Sequence, residues 1–154
     1  MNTIDTRFAA CAALKILKKE HPDWKFEIYD ETNTERLGLE IRCTIDRWGE
    51  GFYICLNFRE KKKQKCVGFK HETLNRDRLE KFQQVSSDVE TIRTFSKKSK
   101  LYKTDKAHWP LWRHLSKERL EPFDDISFIA GIVSDINEMI KIYDISISTI
   151  WKRL

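Results

Sequence analysis

Glycine and proline are scarce in this 154-residue chain, at five and three residues. So few glycines leave little material for phosphate-cradling loops, and there is no GxGxxG, Walker A loop, GxSxG elbow or HExxH. The common cofactor-dependent and nucleophile-elbow enzymes are disfavoured, and no cofactor is expected. Long apolar runs are also missing. The longest, Phe8 to Leu14, stops at Lys15, far short of the roughly 18 residues of a spanning helix. No basic leader runs into an apolar stretch and a small-residue cleavage site, which predicts a cytoplasmic protein with no membrane partner. Cysteines stand at 11, 43, 55 and 66, without a CxxC or a Cys/His pair at zinc-knuckle spacing. Neither a disulfide framework nor a metal site is expected.

What is present is charge and aromatic bulk. Charged residues make up 34% and aromatics 12%, too aromatic a composition for a self-solvating disordered chain. The length predicts one domain over residues 1–154, with a core of its own.

Periodicity divides the chain in three. Residues 3–20 read as a helix, with Phe8, Cys11, Ala13, Leu14 and Leu17 on its apolar face and His21-Pro22 ending it. Period-two alternation then runs through Trp24–Tyr29, Leu37–Asp46, Phe52–Phe58 and Cys66–Lys70, joined by short polar turns. Short joints between neighbouring strands imply an antiparallel meander. Cys43 is in phase with the apolar residues of its strand and Cys55 is out of phase with its own. From Leu74 to Lys98 a helical stripe returns through Leu79, Phe82, Val85, Val89, Ile92 and Phe95. Residues 99–121 lack a clean period and are expected to form a loop and a short helix. A last helix follows an Asp124 cap, with Ile126, Ile129, Ala130, Val133, Ile136, Ile140 and Tyr143 on one face, widened by Phe128, Ile132 and Met139. The tail 145–154 alternates like a strand, yet no turn separates it from that helix, so continuation is the expectation. The predicted fold class is α+β: an N-terminal helix, a four-stranded antiparallel meander and two long helices packed on the sheet.

The net charge of +5 is unevenly spread. Residues 1–58 sum to minus two, residues 59–120, with 18 Lys+Arg against 8 Asp+Glu, to plus ten, and residues 121–154 to minus three. The excess centres on Lys61, Lys62, Lys63 and Lys65, and on Lys97, Lys98, Lys100 and Lys103, with Tyr102, Trp109 and Trp112 close in sequence. Brought together, these residues would offer phosphate contacts and stacking rings. The alternative is that hairpin lysines guard a sheet edge and lysines after a helix suit its dipole. The predicted function is a non-enzymatic module presenting a basic surface to DNA or RNA, or to an acidic or enzyme protein partner. Tyr102, Trp109 and Trp112 are its protein-contact candidates. A small inhibitor or immunity-type protein is the alternative. His108 and His114 are spaced too loosely for a metal pair, and Asp124-Asp125 is explained by capping.

Pro22-Asp23 followed by Leu39-Glu40-Ile41-Arg42 resembles the signature of PD-(D/E)XK nucleases, which implies a divalent-metal nuclease using Asp23, Glu40 and Arg42. The chain departs from the pattern in having Arg42 where the family has lysine, and Phe52–Phe58 contains no acid-x-lysine. Residues 37–143 further resemble the C-terminal, non-catalytic part of some bacterial members. The likeness rests on Trp48 to Phe58, Val67-Gly68-Phe69, Trp109-Pro110-Leu111-Trp112 and the last helix. It implies an accessory or binding domain without a catalytic half.

Overall fold

A computed structural model describes residues 6–30, 38–45, 52–58, 65–71, 102–105, 109–142 and 144. The expected helix over 74–98 and the tail 145–154 lie outside the described residues.

Helix α1 (Thr6–Glu20) precedes strands β1 (Lys25–Asp30), β2 (Leu39–Thr44), β3 (Phe52–Phe58), β4 (Lys65–His71), β5 (Tyr102–Asp105) and β6 (Trp109–His114). The short helix α2 (Lys117–Leu120) and the long helix α3 (Asp125–Ile142) follow. The architecture is α+β, with an antiparallel sheet in the order β1-β2-β3-β4-β6-β5. Among the described residues the sheet has six strands where four were expected. The two extra strands come from the segment expected to be a loop and a short helix. Of that segment, α2 keeps the short helix, capped by Ser116, whose hydroxyl accepts from the Arg119 amide at 3.3 Å. Strand β6 was hidden by Pro110 and by Arg113, a charge at a core-facing position. Its pairing with β5 shifts register between Lys103 and Asp105, at the level of Pro110, and an irregular ladder is where a residue without an N–H is tolerated.

One face of the sheet is apolar and carries α1 and α3. Phe26, Ile41, Cys43, Ile54, Leu56, Val67 and Phe69 point there, meeting Ala9, Ala10, Ala13, Leu14 and Leu17 of α1 and Phe128, Ile132, Ile136, Met139 and Ile140 of α3. Each large side chain buried in this way contributes about 1.5–3 kcal/mol. Two helix faces differ from expectation. On α1, Phe8 and Cys11 are exposed and the close approach is made by alanines, which let the helix backbone lie near its neighbours. On α3, Ile126 and Ala130 are exposed, and the buried stripe instead takes in Gly131 and Asp135.

Arginines explain that stripe. Arg113, reaching up from β6, donates to Asp135 Oδ1 at 2.7 Å and to Glu138 Oε2 at 3.1 Å, and Arg119 Nε donates to Asp135 Oδ2 at 2.5 Å. The Arg119 guanidinium fills the space a Cβ at residue 131 would take, so a side chain there would have to displace it. At the other end of the layer the His21 ring nitrogen Nε2 and Asn137 Oδ1 are 2.6 Å apart, and Asn137 donates to Glu20 at 3.0 Å. Arg7 pairs with Asp30, and the Phe128 ring meets Phe58 edge-on at 5.6 Å. The N-termini of α1 and α3 therefore share the end of the sheet where β2, β4 and β5 begin.

Candidate interaction surface

The second face of the sheet is polar, aromatic and thiol-bearing. The register lines up Lys103, Trp112, Gly68, Cys55, Arg42 and Glu27 in one row across all six strands. His114, Cys66, Asn57, Glu40 and Tyr29 form the next row. These are the out-of-phase positions of the alternating strands, so period two dictates this grouping.

Glu40 lies at its centre, fully buried. Its Oε1 accepts from Arg42 Nε at 2.8 Å and from the Cys55 thiol at 3.2 Å. The Arg42 guanidinium lies over the rings of Tyr29, 4.1 Å from its centroid, and Tyr53, 4.6 Å from its own. Buried charges persist when they are paired and hydrogen-bonded, and cation–π contact adds to the pairing. Tyr29 donates to Glu27 Oε2 at 2.8 Å, and that bond, with burial second, raises the tyrosine's pKa above its usual value. Burial, then the charge of Glu40, pushes the Cys55 thiol upward, and burial does the same for Cys43. Both stay protonated at neutral pH and are not poised as nucleophiles. Cys43 is a core residue, as its phase indicated, and Cys55 lies buried on the opposite face.

The nuclease triad does not assemble. Glu40 is opposite Tyr29, whereas Asp23 lies before the far end of β1, beyond Lys25. The four steps along the strand from Lys25 to Tyr29 alone span about 13 Å, too far for two carboxylates to share one metal ion. Among the described residues no three His, Cys, Asp or Glu side chains gather as metal ligands. Asp124 caps α3, accepting from the Ser127 amide at 2.7 Å, and this bond lowers its pKa.

Of the basic candidates, Lys61, Lys62, Lys63, Lys97, Lys98 and Lys100 lie outside the described residues. Lys65 opens β4, half-buried, and Lys103 stands in β5 beside Trp112. Strands β4 and β5 run in the same direction and begin at one end of the sheet with only β6 between them, about 10 Å apart. Arg113 and Arg119 belong to the same basic segment but turn inward onto Asp135. Tyr102 and Trp109 occupy β5 and β6. Trp112 is half-buried, edge-on to His114 with ring centroids 4.9 Å apart. An open groove of about 430 Å³ lies beside β1, lined by Lys18, Pro22, Trp24, Lys25, Phe26 and Glu27. No helix among the described residues is long and apolar enough to cross a membrane.

The sequence reading missed the Glu40–Arg42–tyrosine cluster, although its signal was available in the shared phase of Glu40, Arg42, Tyr53 and Cys55. It also missed the pairing of Arg113 and Arg119 with Asp135, which no local pattern marks. Comparison with known proteins finds no matching family model, no matching curated protein and no matching solved structure.

Proposed function

We propose that this protein is a non-enzymatic interaction module whose lysine-rich middle segment binds an anionic partner, nucleic acid ahead of acidic protein. The observation that carries this reading is the common origin of β4 and β5 at one end of the sheet. The two lysine groups of the sequence, 61–65 and 97–103, lead into those two strands, so the topology favours one surface over two. Withdrawal of Arg113 and Arg119 into the interior leaves lysine as the main cation of the segment, and lysine contacts phosphate as a point charge without base specificity. The second face supports a binding role over a catalytic one. Its carboxylate is occupied by Arg42 and Cys55, and the Cys55 thiol is held protonated. The resemblance to the non-catalytic part of PD-(D/E)XK proteins implies the same kind of module.

Among the described side chains of the second face, the middle is buried and the accessible aromatic rings lie at its margins, Trp112 and Tyr29. The proposal therefore expects phosphate-dominated, weakly sequence-selective binding. Titrating short duplex DNA, single-stranded DNA and RNA across a salt series tests it. Affinity should fall steeply with salt, with a logarithmic slope of about 0.9 per neutralised phosphate on duplex. No binding of any of the three at low salt rules the proposal out.

A further inference from the structure

Strand β1 is an edge of the described sheet. It pairs with β2 on one side, and alternate residues of an antiparallel strand turn both N–H and C=O the other way. The lining of the 430 Å³ groove places it along that outer side. Lys25, Phe26 and Glu27 are consecutive, so their side chains leave the sheet on alternate faces, and one groove meets all three only along the strand's edge. Their partners on β2, Thr44, Cys43 and Arg42, are not among its described lining residues, which puts it on the side away from β2. Lys25, Glu27, Tyr29 and Asp30 are exposed, so the strand lies open to solvent. Native sheets guard such an edge with charge, a bulge or a proline. Strand β1 has no proline and a regular register with β2, and the charges on its second face alternate in sign, Lys25 and then Glu27.

We infer that two copies of the chain pair edge to edge through β1, antiparallel about a two-fold axis at Phe26, joining their sheets into one. Residues opposite each other in an antiparallel pair share a face, so the strand that complements Lys-x-Glu reads Glu-x-Lys in the other direction. That is β1 itself, reversed. An axis at Phe26 sets Lys25 of each copy against Glu27 of the other, Phe26 against Phe26, and the half-buried Ile28 against Trp24. An axis at Glu27 would face that carboxylate with its own copy, and one at Ile28 would face Phe26 with Asp30, so charge selects the register. The groove is centred on the same residues. Glu27 accepts from the Tyr29 hydroxyl through Oε2, and a carboxylate has a second oxygen for the incoming ammonium. Lys18, exposed on its flexible stem at the groove's rim, can turn to solvent as the strands meet. Two-fold symmetry makes each contact twice. An edge of six residues falls short of the roughly 20–30 residues a side of a stable interface, so the dimer is reversible.

Sedimentation velocity of the full chain, without nucleic acid and over a concentration series, tests it. A monomer–dimer equilibrium is expected. Lys25→Glu and Glu27→Lys, each alone, turn two attractive cross-strand pairs into two repulsive ones and should weaken the dimer about tenfold or more. The double variant Lys25→Glu/Glu27→Lys should restore it. An equimolar mixture of the two single variants should form a heterodimer, because each offers the charge that the other needs. Both side chains are exposed, so the circular dichroism of every variant should match the wild type. The inference is overturned by a chain that stays monomeric up to about 1 mM, which would leave the groove to an extended segment of another protein. It is equally overturned by a dimer that neither single variant weakens, or by weakening that neither the double variant nor the mixture reverses. No nucleic acid enters the measurement, so its failure leaves the reading of the lysine-rich segment standing.

Discussion

The two faces of the sheet are built from the same strands and buried by different chemistry. On the helical side, aliphatic and aromatic residues meet α1 and α3, and the charged intruder Arg113 is answered from α3 by Asp135 and Glu138. On the other side the buried positions hold Glu40, Tyr53, Cys55, Asn57 and Cys66, with Arg42 between two tyrosine rings. The first face is stabilised by area and tolerates small changes of shape. The second depends on the pairing of Glu40 with Arg42 and Cys55, so one substitution can leave a buried charge uncompensated. Alternation thus places two kinds of energetics one residue apart along each strand.

The comparison is broken most sharply by truncating the centre of each face. Phe69→Ala should cost about 3–5 kcal/mol in denaturant unfolding, because it opens a cavity in a fully buried site. Glu40→Ala should cost about 3 kcal/mol by removing the acceptor of Arg42 and Cys55, near the lower end of the range for a broken buried pair because Arg42 keeps some access to water. Replacing Glu40 together with Arg42 by apolar residues should recover much of that loss, whereas no second truncation rescues Phe69→Ala. Equal costs with no recovery would erase the distinction between the faces.

A smaller effect sharpens it at the helical layer. Gly131→Ala should cost about 1–3 kcal/mol by overpacking, since the Arg119 guanidinium must leave the space beside α3 and its bond to Asp135. Combining Gly131→Ala with Arg119→Ala should then be less damaging than the sum of the two. The smallest effect is spectroscopic. The Tyr29 pKa is raised in the folded protein, so its hydrogen bond to Glu27 contributes stability present below the ordinary tyrosine value of 10.0 and lost as pH rises through the folded value. Ultraviolet titration should show Tyr29 ionising above the ordinary tyrosine value, and Glu27→Gln should move that step to lower pH.

Much of the sheet was legible in the sequence because alternation is a direct imprint of a pleated strand with two environments. The expected Phe52–Phe58 coincides with β3, and the other three strands differ only at their ends. Strand β6 was not legible, because Arg113 takes a core-facing position and its partners, Asp135 and Glu138, are more than twenty residues away. The same long-range pairing obscured the buried face of α3, where Gly131 and Asp135 stand in place of the apolar residues of a helical stripe. Of the candidate surface, the grouping of lysines was legible as composition. That their two segments lead into two strands flanking β6, both starting at one end of the sheet, required the register, which no single segment encodes.

The central functional claim is that the two lysine groups act as one surface. The direct measurement is the salt dependence of binding to a short DNA duplex, for the wild type, for Lys61→Ser/Lys62→Ser/Lys63→Ser and for Lys97→Ser/Lys98→Ser/Lys100→Ser. Wild-type binding should be salt-sensitive, and the slope should fall by about 2–3 in each triple variant, at about 0.9 for every phosphate that is no longer neutralised. Wild type that does not bind at low salt, or a triple variant whose affinity and slope match the wild type, would contradict it.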